Sequence, residues 1–185
     1  MIRFLYLFFL STLILTNNIN AKENIMILKL KDGDVKIEMF EDVAPNHVKR
    51  ITELANSGKY DNVVFHRVIE GFMAQTGDVQ FGNSSSKDFD LSKAGIGASN
   101  LPDLKEEFNN IPHERGTVSM ARSSDPNSAN SQFFICFENA SYLDRQYTVF
   151  GRVIEGMDFV DKIKKGDGQS GSVTNPDKII SFKSQ

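Results

Sequence analysis

Apolar and polar residues alternate over much of the chain, and the alternation divides it into short strands. Ile25 to Leu30 alternates and is rich in β-formers. Asp32-Gly33-Asp34 is a turn signal and Val35 to Phe40 alternates again, so a hairpin is expected. The period then changes. Pro45 suits a first helical position, Val48, Ile51, Leu54 and Ala55 recur at helical spacing, and Gly58 supplies a stop. Val63 to Ile69 reads as a strand, Gly71 breaks it, and Phe72 to Gln75 continues extended. From Gln80 to Asn110 the pattern dissolves into Gly, Ser and charged residues, a surface excursion of a length that is functional or mobile. Within it, Leu101 to Phe108 is expected to hold a helical turn. Thr117 to Ala121, Gln132 to Phe137 and Thr148 to Ile154 read as strands, with a polar loop over Ser123 to Ser131. Met157 to Lys164 reads as a short amphipathic helix, and Asp177 to Phe182 as a last strand.

Two helices, one near each end, therefore flank many strands. Strands that do not alternate with helices argue against a parallel sheet. An antiparallel sheet of this length closes into a barrel or folds into a sandwich. The amino-terminal segment has a different character. Arg3 precedes an apolar run, Phe4 to Thr16, and polar residues then lead to the small residue Ala21. A membrane-spanning helix needs about 20 apolar residues, whereas a signal-peptide core needs roughly 7–15. The expected organisation is a signal peptide over residues 1–21 and one domain over 22–185, the alternative being an uncleaved membrane anchor. No cysteine lies near Ala21, which excludes a lipoprotein anchor.

Composition narrows the function classes. The chain has 185 residues, enough for one domain plus a processed leader. Its formal net charge of −3 gives it no basic field for nucleic acid, and no nucleic-acid partner is expected. Cys136 is the single cysteine, so intramolecular disulfides and cysteine-based zinc sites are excluded. His47, His66 and His113 are scattered, and no metal site is expected. Gly166 to Gly171 spells a dinucleotide-type glycine pattern, but it follows a helix and runs into Asn175-Pro176, the wrong context for that geometry. His113-Glu114 begins like a zinc-protease motif, but Thr117 stands where the second His is needed. His66 reads as structural, His47 and His113 as surface residues, and Glu106 and Glu107 as a solvated face.

Two segments carry chemistry. In Phe65-His66-Arg67-Val68-Ile69 an arginine sits mid-strand among apolar residues, and a half-buried guanidinium must be paired or used. Gln75, on the next extended segment, is a candidate partner, and Phe72 and Met73 add apolar surface. In Ser131-Gln132-Phe133-Phe134-Ile135-Cys136, alternation puts Gln132 and Phe134 on one face and Phe133 and Ile135 on the other. Cys136 reads as a small buried filler. Together these residues describe an apolar pocket rimmed by one cation and two amides, with no nucleophile. Arg67 alone also fits a structural ion pair; the residues in register with it favour a site.

The chain resembles the cyclophilin-type peptidyl-prolyl cis-trans isomerases. Tyr60-x-x-Val63-x-Phe65-His66-Arg67 running to Gly71-Phe72-Met73-x-Gln75-x-Gly77-Asp78 is similar to their signature. Met120-Ala121-Arg122, Ser131 to Ile135, Leu143-Asp144 and Val149-Phe150-Gly151 follow in the family's order. Arg122 and the spacing up to Ser131 resemble the bacterial exported branch. The resemblance implies a mainly β fold, a closed eight-stranded antiparallel barrel capped by two helices. It implies a catalytic role for Arg67 and a proline pocket of Phe72, Met73, Phe134 and Leu143. Gln75 and Gln132 would position Arg67 and the substrate, the Ala121–Arg122 backbone would pair with the peptide, and Tyr142 and Tyr147 would be pocket wall or packing. Tyr142 stands where many eukaryotic members have the Trp associated with cyclosporin binding, Tyr147 stands where they have His, and Glu70 replaces a common Pro.

The expected activity is rotation about X-Pro bonds in exported polypeptides, without cofactor, by a periplasmic monomer whose partners are proline-containing chains. After leader removal no membrane partner is expected. The alternatives are a non-catalytic proline-peptide-binding chaperone on the same barrel, and a carrier of a small apolar ligand.

Overall fold

The structure, a computed structural model, describes residues 24–185. The expected leader, residues 1–21, lies outside the described residues. Among the described residues no helix is long and apolar enough to cross a membrane.

β1 (Ile25–Leu30) and β2 (Gly33–Met39) form the expected hairpin, in register from Ile25 opposite Glu38 to Leu30 opposite Gly33. α1 (Pro45–Asn56) follows and buries Val48, Ile51, Leu54 and Ala55 against the sheet. Pro45 starts the helix, but Ala44 before it has no side chain to cap the first turn. The cap comes from the excursion. The Glu107 carboxylate accepts the backbone N–H groups of Asn46 and His47 at 3.1 Å, and His47 Nδ1 lies 2.6 Å from it. An anion at a helix N-terminus satisfies groups that the helix itself leaves unpaired. Glu107 is therefore no solvated residue, and His47 is fully buried rather than on the surface.

The remaining elements are β3 (Arg67–Ile69), β4 (Met73–Thr76), β5 (Thr117–Met120), β6 (Phe133–Cys136), a 3₁₀ turn (Ser141–Leu143), β7 (Val149–Glu155), α2 (Met157–Asp161) and β8 (Ser181–Ser184). The expected helical turn within Leu101 to Phe108 does not form; this stretch is extended, and Leu104 bridges Ala129. All eight strands pair antiparallel, in the order β3-β4-β6-β5-β7-β2-β1-β8.

This sheet is open, a half-barrel rather than the closed barrel expected. β3 and β8 do not pair. The chain between them divides its hydrogen bonds: the carbonyls of Asp177 and Ile179 accept from Phe65 and Asn62, whereas Ile180 donates to Lys29 of β1. A segment that turns from one neighbour to the other within two residues makes only isolated bridges, such as Val64 to Lys178. The expected strand from Val63 is shortened to three residues for the same reason.

Strand alternation sorts the side chains. Val68, Ala74, Ile135 and Val118 are opposite one another across β3, β4, β6 and β5, and all four are fully buried in the main core. Phe133 joins them and packs edge-on against Tyr60 and Phe150. The other face of the same four strands carries a second row: Arg67, Gln75, Phe134 and Ser119.

Candidate active site

That second row is the base of the site. Arg67 and Gln75 are directly opposite on β3 and β4, and Gln75 is opposite Phe134 on β6. The next row adds Met73 and Cys136. The 3₁₀ turn brings Leu143 over this face, and Met73, Phe134, Cys136, Ala140 and Leu143 form a small apolar cluster separate from the main core, with Phe72 and Tyr147 packed against it. A cavity of about 130 Å³ opens above the cluster, lined by Arg67, Phe72, Met73, Gln75, Ala121, Arg122, Phe134, Leu143 and Tyr147.

Gln132 lies outside this cavity, in an adjoining hollow of about 460 Å³ that also touches Gln75, Ala121 and Arg122. Tyr142 stands apart: it is 62 % exposed, its ring lies 5.7 Å from that of Phe72, and it does not line the cavity. The Arg122 guanidinium donates to the Gln146 carbonyl at 2.8 Å and lies 4.4 Å from the centre of the Tyr147 ring, so its side chain holds the wall. Of the Ala121–Arg122 backbone, the Ala121 N–H is already taken by the Gln132 carbonyl.

Arg67 is held from two sides. Its Nε donates to the Ser170 carbonyl at 3.2 Å, and its Nη1 donates to Gln75 Oε1 at 3.3 Å and lies 3.9 Å from the Met73 sulfur. Among the described residues no carboxylate pairs with it, and Nη2 has no partner. The guanidinium thus keeps its full charge and two free N–H donors at the cavity edge. An ion-pair role for Arg67 has no support in this geometry.

The floor is braced from below by residues whose part the sequence did not suggest. His113, expected at the surface, is fully buried. Its ring stacks on Phe134 and meets Tyr147 edge-on. Nδ1 lies 3.0 Å from Asp144 Oδ1 and Nε2 lies 3.0 Å from Ser119 Oγ. Burial holds the His113 pKa below the ordinary histidine value, against the opposing hydrogen bond to Asp144. Nδ1 is paired with the Asp144 carboxylate and Nε2 with the Ser119 hydroxyl, which itself donates to the Thr148 carbonyl at 3.0 Å. Ser119 is fully buried below the apolar cluster, so this Ser-His-Asp string is a brace and not a nucleophile. Burial pushes the Cys136 thiol up to about 12, which keeps it protonated and inert as floor packing. Among the described residues no three His, Cys, Asp or Glu side chains gather as a metal site requires.

A free cation over a small cavity, with an amide pair beside it, has a counterpart among known proteins. The family model of the cyclophilin type peptidyl-prolyl cis-trans isomerase/CLD matches residues 25–184. The chain belongs to this family. It is 60 % identical over 159 residues to a probable peptidyl-prolyl cis-trans isomerase of Brucella suis, across 85 % of this chain and 81 % of that one. Peptidyl-prolyl cis-trans isomerase B of Escherichia coli is 38 % identical over 160 residues, covering 80 % and 91 % of the two chains. A crystal structure of a Cryptosporidium parvum cyclophilin type isomerase, determined in the presence of the dipeptide Ala-Pro, matches with a TM-score of 0.73 at 26 % identity, over 87 % of this chain and 98 % of that one. A cyclophilin of Hirschia baltica matches with a TM-score of 0.71 at 28 % identity, over 86 % and 73 %. The activity of this cyclophilin is therefore the cis-trans isomerisation of peptidyl-prolyl bonds.

Proposed function

We propose that this cyclophilin acts on proline-containing segments of exported polypeptides, in the periplasm, and that Arg67 drives the reaction by stabilising the twisted amide. The observation that carries the mechanism is the unpaired Arg67 guanidinium, with Nη2 free, above the cavity of Phe72, Met73, Phe134 and Leu143.

Rotation about a peptide bond costs about 18–20 kcal/mol because amide resonance must be broken. For X-Pro the unassisted change takes roughly 10–100 s, and four to five decades of acceleration need roughly 5.5–7 kcal/mol. No bond is made or cleaved. The apolar cavity takes the proline ring, and Gln75 fixes the guanidinium beside it. As the bond twists, the proline nitrogen loses conjugation and regains a lone pair. The free N–H groups of Arg67 stabilise that lone pair more than they stabilise the planar amide, which is differential binding. Exclusion of water by Phe134 and Leu143 strengthens the interaction. The Ala-Pro dipeptide accompanying the related Cryptosporidium structure supports a proline-containing ligand for this chain. Export rests on the apolar run Phe4 to Thr16 and on Ala21, and places the domain at residues 22–185. A monomer without cofactor suffices for this chemistry.

The test compares wild type with Arg67→Ala on a short Ala-Pro-Phe reporter peptide, with circular dichroism to check the fold. Catalysis that collapses in the variant supports the mechanism; equal catalysis in both removes Arg67 from it. For export, the mass of the protein recovered from the periplasm should begin at Lys22, and recovery only in the cytoplasm would overturn the location.

A further inference from the structure

Asp78 lies outside the cavity, is fully buried and has no cationic partner among the described residues. A buried carboxylate is costly unless hydrogen bonds replace its water. Here four backbone N–H groups do so. Oδ1 accepts from Gln80 at 3.0 Å and Phe81 at 2.8 Å, and Oδ2 accepts from Gly95 at 2.7 Å and Gly97 at 2.9 Å. The second pair ties two glycines of the excursion, two residues apart, to one side chain. Glycine is required there: Gly95 has φ of +108°, and a Cβ at Gly97 would collide with the Asp78 carboxylate.

With their N–H groups fixed inward, Gly95 and Gly97 aim their carbonyls at Gln132. Both accept from Gln132 Nε2, at 2.9 and 2.8 Å. That uses both protons of the amide and leaves it one orientation, because a flipped amide would set its oxygen against two carbonyl oxygens. Gln132 Oε1 then faces Gln75 and accepts from its Nε2 at 3.0 Å. Gln75 in turn has one orientation left, and it presents Oε1 to Arg67 Nη1 at 3.3 Å.

We propose that Asp78 is a positioning residue for the isomerase reaction: through the Gly95–Gly97 backbone it fixes the orientation of Gln132 and Gln75, and so the aim of the Arg67 guanidinium. This rests on the role of Arg67 proposed above. Asp78 acts on the transition state and not on the ground-state seat of the proline ring, since Asp78, Gly95, Gly97 and Gln132 all stand outside the cavity that seats it.

The experiment is a double-mutant cycle in the full chain with Asp78→Asn and Gln132→Met, read by kcat and KM on the Ala-Pro-Phe reporter and by the NMR signals of the Gln75 and Gln132 side-chain amides. Asp78→Asn keeps the volume but sets an NH₂ against backbone donors, and Gln132→Met cuts the relay downstream. Each single variant is expected to lower kcat about tenfold or more with KM within about twofold. Asp78→Asn should also shift both amide signals, and the double variant should be no slower than the slower single one. Losses that multiply, or a folded Asp78→Asn with wild-type kcat, overturn the relay. Should Asp78→Asn fail to fold, Gly97→Ala, which presses on the same carboxylate, takes its place in the cycle. Arg67→Ala is measured in parallel. If it collapses while Asp78→Asn is unchanged, the relay alone fails; if Arg67→Ala keeps full turnover, the reading of Arg67 fails first.

Discussion

Arg67 and Gln75 face each other across the β3–β4 ladder, with Nη1 of one 3.3 Å from Oε1 of the other. The pair is neutral on one side and charged on the other, so the guanidinium is aimed without being neutralised. The planar fork lets Nη1 hold the amide while Nη2 stays free. A lysine supplies the charge but not the fork. Arg67→Lys is therefore expected to lose about 10²–10³ in kcat/KM, the scale of removing one preorganised donor. Stopped-flow isomerisation of the reporter peptide checks this, and wild-type turnover in the lysine variant would sink it.

Replacing the neutral partner with an ion should also be harmful. In Gln75→Glu a carboxylate would stand where Oε1 now lies, and the Arg67 charge would be spent on the protein. It would also meet Gln132 Oε1 with an acceptor in place of the Nε2 donor. The expected result is a fall in kcat of at least about tenfold, with the fold intact by circular dichroism. A variant as fast as wild type would show that the guanidinium needs no neutral partner.

Glu107 concerns stability and not chemistry. It caps α1 from the excursion, where Ala44 offers no side chain. Glu107→Ala removes the acceptor of two backbone N–H groups and of buried His47, and should cost about 2 kcal/mol. For a chain of this size that is a fall in Tm of about 4–8 °C. Peptide turnover below the new transition should be unchanged. A Tm within 1 °C of wild type, taken as about the precision of the measurement, would deny the cap its role.

The histidines set the response to acid. Burial, opposed by Asp78 and aided by Arg67, lowers the His66 pKa to about 4, and neither ring nitrogen has a hydrogen-bond partner among the described residues. Burial also lowers His47 and His113. As pH falls below the ordinary histidine value, the unfolded chain takes up protons that the folded chain refuses. Stability is thus greatest above about pH 6.5 and declines towards pH 4, by about 3 kcal/mol from His66 alone. Urea midpoints at pH 7.5 and 5 measure the decline. His66→Phe, which gives up no hydrogen bond, should flatten it; an unchanged slope in that variant would assign the acid response elsewhere.

What the sequence revealed and what it hid follow from the kind of force involved. β5 and β6 were legible because Val118, Phe133 and Ile135 alternate with residues of the other face, and packing enforces a period of two. The gathering of Arg67, Gln75 and Phe134 was legible for the same reason. The excursion was not, because it is ordered by single polar side chains such as Asp78, Asn130 and Glu107 bonding to distant backbone, and such bonds have no period. His47 and His113 were misplaced at the surface because each is buried by one acidic partner far away in sequence. The sheet's opening was hidden as well, since it depends on which neighbour Ile180 bonds rather than on whether that residue is extended.

The pairing of β1 with β8 has a consequence for how the molecule is made. Met26 lies opposite Ser184, and Leu28 opposite Phe182, so β1 has β2 on one side and the far downstream β8 on the other. During synthesis the β1–β2 hairpin is complete well before β8, so the outer edge of β1 stays bare until Ser181 to Ser184 have emerged. Such distant contacts make folding slow, and a bare edge is a template for pairing with another chain. This isomerase thus passes through part of its own synthesis with a sticky flank.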